Sequence, residues 1–205
     1  MLINKRYTTI WILKHTMRRV FFNNLSNSLF YKNIIIRNNL YIKSLKKIII
    51  IAQFAILLLI ILLFNPITNM TLTLYYAKKY GLNSSLYFRQ IKAESFFRCF
   101  VKSKKGAIGV GQVIYTTAVY IDSDIKKWEL YLPWRNLDIS SKYMQYLLER
   151  YQNNYSLALA AYNWGETNVS EKLRENNILI EIDTKYDYLF QNVRETYSYI
   201  EKIMK

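Results

Sequence analysis

An apolar run at residues 48–64 limits what this chain can become more than any other feature: seventeen residues in which Gln53 is the only polar side chain. At ~1.5 Å of rise per residue, a helix of that length approaches the ~30 Å hydrocarbon core of a bilayer. Lys43, Lys46 and Lys47 precede it, and no charge follows until Lys78. By the positive-inside rule this asymmetry places the N-terminus in the cytoplasm and the remainder outside. A cleaved signal peptide is the competing interpretation, but the run exceeds the usual h-region and residues 65–69 offer no small-x-small site. The lysine cluster also argues against a buried soluble helix. The expectation is an uncleaved anchor, with the membrane as partner through residues 48–64.

Charge is divided unevenly about this run. Residues 1–69 hold ten Lys or Arg and no Asp or Glu, whereas residues 70–205 hold nineteen basic and all fourteen acidic residues, so the net +15 splits as +10 and +5. Positive charge directly before an apolar run records membrane orientation, so no nucleic-acid partner is expected. Residues 1–47 form a basic segment without sustained periodicity and receive no fold, and residues 65–79 are read as a linker. The single cysteine, Cys99, cannot form an internal disulfide and is read as a small packed side chain. The only histidine, His15, precedes the apolar run, which excludes Cys-His and Ser-His-Asp chemistry from the following domain. No His cluster or Cys pair offers a metal site, and no cofactor is expected.

From residue 70 onward the segments that show a period show a helical one. Asn83, Ser84 and Ser85 are N-cap candidates for a helix that runs through Leu86, Ile91 and Ala93 to Glu94. Thr116 and Thr117 open a short helix. Asn136 is placed as the cap of the next, whose apolar stripe is Leu137, Met144, Leu147, Leu148 and Tyr151. Ser156 precedes an alanine-rich helix that stops at Gly165, and residues 193–204 form a closing helix on Val193, Tyr197, Ile200 and Met204. Residues 176–192 are read as a loop or short extended segment.

Between the first two of these helices lies the chemistry. Glu94 stands alone near a helix end, and Gly106, Gly109, Gly111 and Gln112 follow it. The glycine pattern G-x-x-G-x-G matches neither dinucleotide nor P-loop spacing. Positive φ or close backbone approach beside a sugar ring is the use expected of it. A lone carboxylic acid beside a tight loop bearing an amide can hold a sugar and protonate its glycosidic oxygen.

The series from Gln90 to Ser95, then Ser103, then Gly106 to Gln112, then Thr117-Ala118, resembles the SLT-type lytic transglycosylase domain. So do Asn136-Leu137 with Tyr146-Leu147, the run Ala160-Ala161-Tyr162-Asn163-Trp164-Gly165, and Glu195-Thr196-Tyr197-Ser198-Tyr199-Ile200. The resemblance covers residues 80–205 in order. It implies a mainly α, lysozyme-like domain, here preceded by a transmembrane helix, that cleaves the β-1,4 bond between N-acetylmuramic acid and N-acetylglucosamine in peptidoglycan glycan strands.

By this resemblance Glu94 is the catalytic acid and base. Ser95 and Ser103 lie near the N-acetyl group and that carboxyl, Gln112 contacts the saccharide, and Tyr162 and Asn163 line the cleft. Glu195 is a second carboxylate that orients substrate or supports structure, and Gly109 and Tyr199 complete the substrate-binding set. The family's chemistry closes a 1,6-anhydro ring from the sugar's own C6 hydroxyl, so a second catalytic carboxylate is unnecessary. The chain departs from the family pattern at Gly111, usually Met, at Val113-Ile114-Tyr115, where Pro is usual, and at Arg98-Cys99, where Asn-Pro is common. Lys102, Lys104 and Lys105 are read as a solvated charged face. A muramidase-type hydrolase on the same fold and a catalytically idle glycan-binding module remain open alternatives.

Overall fold

A computed structural model of the chain describes residues 3–181 and 184–205. It divides into two compact units, residues 1–58 and 59–205.

The first unit is helical throughout its described residues and belongs to α1, Ile3–Phe64. The basic segment, to which sequence periodicity assigns no fold, is therefore helix. The physical reason is the absence of any proline or glycine before Pro66, so nothing breaks the hydrogen-bond ladder once it has started. Within α1, Lys32–Phe64 contains a stretch long and apolar enough to cross a membrane, none of it buried within the protein. The helix ends where it must: Asn65 precedes Pro66, which pushes it into extended backbone at φ −81°, ψ 155°.

The second unit is a helical domain. α2 (Pro66–Lys79) starts with proline in its first turn, and the Asn65 side chain accepts from Thr68 N–H. Residues 65–79 are thus not a linker. Asn69, Thr73 and Ala77 recur every four residues on a face buried against the domain, and their polarity hid that face from a search for apolar periodicity. α3 (Ser84–Ser95) is capped by Asn83 as expected. α4 (Tyr115–Ile121) follows the glycine loop. α5 (Pro133–Arg150) starts ahead of Asn136, because Pro133 suits the first helical position and Leu132 takes the cap. α6 (Tyr155–Trp164) is capped by Asn154, two residues before the Ser156 expected to open it. α7 (Glu166–Glu175) was not foreseen, and α8 (Arg194–Met204) closes the fold. Residues 176–181 and 184–186 are loop ahead of a 3-10 turn at Asp187–Phe190, whereas 182 and 183 lie outside the described residues.

α6 is the axis of the domain. Every residue from Ser156 to Ala161 is buried, and Ala158, Ala160 and Ala161 let α5, α7 and α8 approach closely. The stripe on α5 is buried as expected and joins Leu157 and Leu159 in one core with Ile91 of α3 and Ile200 of α8. Cys99 is packed in this core, its thiol donating to the Phe64 carbonyl at 3.4 Å.

One polar cluster fastens α2 to α5. The Asp138 carboxylate accepts from Lys79 at 2.8 Å, the Tyr80 hydroxyl at 2.6 Å and Lys142 at 3.0 Å. Burial opposes its ionisation, but these three donors outweigh burial and hold the carboxyl below its usual range. A depressed folded-state value contributes stability above the unfolded value and loses it as pH falls through the folded one. Asp138→Asn should therefore lower unfolding free energy by about 2 kcal/mol at neutral pH. In urea titrations that deficit should close as the pH drops below 3.8.

Candidate active site

Glu94 lies in the last turn of α3, on the wall of a cleft of about 460 Å³, a size suited to a small ligand. α3 stops because Phe96 adopts a left-handed conformation at φ 54°, with its N–H bonded to the Lys92 carbonyl. This fixes the helix end from which the carboxyl projects. Burial pushes Glu94 up to about 7; the Tyr199 hydroxyl, which donates to Glu94 Oε1, opposes the rise, and the Glu195 charge adds to it. Tyr199 reaches it from α8 and stays protonated, its own value raised by burial and by the neighbouring Glu94 charge.

The glycine loop is held from three helices. Ser95 Oγ of α3 donates to the Val110 carbonyl at 2.6 Å, and Tyr162 of α6 donates to the Gly111 carbonyl at 2.7 Å. From α5 the buried Asn136 makes three bonds: it accepts from Gly111 N–H at 2.7 Å and donates to Ile108 and Leu130 carbonyls at 2.8 and 2.9 Å. Asn136 is therefore a clamp inside its helix, not the cap that local propensity suggests. Gly109 has φ +79° and no room for a Cβ, which would lie 2.2 Å from the Leu130 carbonyl. A Cβ on Gly111 would lie 2.6 Å from Ser140 Cβ, so the packing of this loop requires the small residue at that departure from the family pattern. These glycines are needed for close approach to α5 rather than beside a sugar.

Of the residues singled out from the sequence, Glu94, Ser103, Gln112, Tyr162, Asn163 and Glu195 come together on the cleft. Ser103 Oγ also accepts from Ala107 N–H at 3.0 Å. Gln112 sits at φ 49°, a strained value for a side-chain-bearing residue, and its amide nitrogen donates to the Gly109 carbonyl at 2.9 Å. Asn163 accepts from Thr196 of α8 at 2.9 Å, which fixes its orientation. Glu195 is exposed and pairs with Lys105 at 3.3 Å.

Three expected ligand contacts are not on the cleft. Ser95 is buried and spent on Val110, Gly109 is buried against Leu130 and Asn136, and the Tyr199 hydroxyl is spent on Glu94. Each instead shapes the groups that do face it. Lys104 and Lys105, read as part of a solvated face, lie on the cleft. Trp164 and Tyr143 line it as well and were missed. Trp164 carried a signal, an aromatic directly beside Asn163 at a helix end, whereas Tyr143 is masked by its place next to the core stripe of α5.

The fold and site define a lysozyme-like helical domain with a single shielded carboxylic acid on its cleft. Residues 63–183 match the transglycosylase SLT domain, and the chain belongs to that family. The match begins ahead of α2, in agreement with the packing of that helix into the domain. Among solved structures, the domain is similar to the lytic transglycosylase Slt of Pseudomonas aeruginosa, solved as an inactive Glu→Gln variant. The two are 27% identical with a TM-score of 0.54, over 64% of this chain and 22% of the other. It is also similar to the 70-kDa soluble lytic transglycosylase of Escherichia coli, at 26% identity and a TM-score of 0.55, over 65% and 22% of the two chains. The complex of a 70-kDa soluble lytic transglycosylase with bulgecin A matches at 25% identity and 0.56, over the same shares. The aligned region thus spans about a fifth of those proteins.

Proposed function

We propose that this chain is a membrane-anchored lytic transglycosylase that cleaves the N-acetylmuramic acid–β-1,4–N-acetylglucosamine bond of peptidoglycan, with Glu94 as both acid and base. The observation that carries the reading is the Glu94 carboxyl on a sugar-sized cleft, with its ionisation near neutrality and its orientation set by Tyr199. Family membership and the likeness to two lytic transglycosylases support the substrate class.

In this mechanism protonated Glu94 donates to the bridging oxygen as the C1–O bond breaks, and the muramic N-acetyl oxygen closes on C1 to hold the developing positive charge. The Glu94 carboxylate then takes the proton of the C6 hydroxyl, and O6 displaces the N-acetyl oxygen at C1. The proton count balances, no water enters, and the carboxyl is regenerated. Holding O6 and C1 in one molecule supplies the effective concentration that an outside water lacks. Glu195, exposed and paired with Lys105, is assigned to orienting the substrate at the rim.

Anchoring is supported by residues 48–64 and the lysines before them, whose asymmetry favours a cytoplasmic N-terminus and a domain on the outer side of the inner membrane. The test is digestion of purified sacculi by the full chain in detergent or vesicles, with products read by mass spectrometry. Muropeptides ending in 1,6-anhydro-muramic acid are expected. Reducing ends in their place establish a hydrolase, and binding without soluble product establishes an idle module.

A finer test addresses Tyr199. Tyr199→Phe removes the donor that favours ionised Glu94, so the carboxyl holds its proton to higher pH. A charged hydrogen bond of ~1.5 kcal/mol corresponds to a shift of about one pH unit. The alkaline limb of kcat/KM should move upward by that amount, an effect that simple loss of packing does not produce.

A further inference from the structure

The outward face of α2 has no occupant within the domain, and it is apolar where a helix facing water carries charge. Its inner face carries Asn69, Thr73 and Ala77, flanked by Met70, Leu72 and Tyr76 packed against the core; Asn69 donates to the Phe97 carbonyl at 2.8 Å and Thr73 to the Asn69 carbonyl at 2.7 Å. Ile67, Leu74 and Tyr75 stand exposed, Ile67 at 75% and Tyr75 at 59%, with exposed Thr71 between them. Positions 67, 71, 74, 75 and 78 follow helical spacing, so they form one stripe. A surface helix facing water normally directs its charged residues outward. Here no Asp, Glu, Lys or Arg occurs from residue 48 to residue 77, and the stripe ends at Lys78.

Chain connectivity says what meets this stripe. Only Asn65 separates the end of α1 at Phe64 from the start of α2 at Pro66. If residues 48–64 span a bilayer, α2 begins at the point where the chain leaves the hydrocarbon. At that junction Phe64 stacks on Phe100, with ring centroids 5.3 Å apart, and lies 5.9 Å from Trp134; Phe100 continues to Tyr131 at 6.5 Å. Phe100 is 68% exposed. Aromatic rings of this kind concentrate where acyl chains give way to headgroups.

We infer that the exposed stripe of α2 and the aromatic collar at Phe64 and Phe100 form a lipid-docking surface, on which the domain rests against the outer face of the membrane that anchors it. α2 lies along the interface with Ile67, Leu74 and Tyr75 in the acyl–headgroup boundary, and the Lys78 stem lets its ammonium reach the phosphate layer. Docking limits the cleft to glycan strands close to the bilayer. The inference rests on the anchoring part of the function proposed above and not on its catalytic part.

The test uses the full chain in phosphatidylethanolamine–phosphatidylglycerol vesicles, in a Cys99→Ala background, with an environment-sensitive dye at Leu74→Cys or at Leu57→Cys. Shallow and deep spin-labelled lipids serve as quenchers. Leu57 reports the span and Leu74 the docking surface. Expected are strong quenching of Leu57 by deep labels and of Leu74 by shallow labels, the latter unchanged on tenfold dilution of protein in lipid. An aqueous Leu74 beside a quenched Leu57 overturns docking and leaves anchoring intact. Two aqueous positions overturn anchoring and docking together. A Leu74 dye that is shielded but unquenched by lipid, and is released on dilution, assigns the stripe to a second copy and overturns the inference. Ile67→Asp should release the Leu74 dye from lipid while sparing the Leu57 signal; unchanged quenching of Leu74 in that variant counts against docking.

Discussion

Glu94→Gln should reduce turnover of sacculi by about 10³-fold or more, because in the proposed mechanism one carboxyl performs both proton transfers and an amide performs neither. The parent rate should fall as pH rises through about 7, where the acid loses its proton. The same substitution provides its own control for folding. A carboxyl whose folded-state value lies above the ordinary 4.5 favours the fold most below that value, and this contribution is lost as pH rises through about 7. Gln cannot ionise, so above that pH the variant should melt at or above the parent temperature. Lost activity with equal or higher Tm identifies a chemical defect. Full activity in the variant refutes the assignment of Glu94, whatever the products prove to be.

The parts of this site that sequence revealed are those written in local signals. Asn83 and Glu94 share one helix, and an N-cap followed by helical spacing is enough to place the carboxyl near its end. Gly165 stops α6 through a φ of +100°, a constraint that the residue type itself announces. What stayed hidden depends on distant partners. The bond from Tyr199 to Glu94 joins positions 105 apart in the chain, and no local pattern separates a tyrosine facing sugar from one holding the acid. Asn136 shows the same limit differently: an asparagine near a helix start reads as a cap, but Pro133 moves the start and frees the amide to grip the loop. α2 was missed because Asn69 and Thr73 interrupt the apolar residues of its packed side, and α7 because only Val169 and Leu173 are buried on it. Apolar periodicity finds neither.

The loop that Asn136 grips yields the second large effect, in stability. Gly106 and Gly109 have nearly the same backbone, at φ +86° and +79°, so an alanine at either carries the left-handed penalty of about 1–2 kcal/mol. Their surroundings differ. A Cβ on Gly106 meets nothing within 4 Å, whereas one on Gly109 lies 2.2 Å from the Leu130 carbonyl and 2.3 Å from Asn136 Nδ2. A backbone carbonyl cannot swing aside, so the overlap of Gly109→Ala is relieved only by lifting the loop from Leu130 and from Asn136 of α5. That displacement adds roughly 1–3 kcal/mol of overpacking and breaks bonds of the buried Asn136, worth about 1–3 kcal/mol when one is left unmade. Gly109→Ala should therefore destabilise by about 4 kcal/mol or more in urea titrations, and Gly106→Ala by about 1–2. Because the same loop carries Gln112 onto the cleft and takes the Tyr162 hydroxyl on Gly111, Gly109→Ala protein that still folds should bind glycan weakly. Equal stability of the two variants would mean that the loop does not press on α5, and the cleft wall would then lack the support described for it.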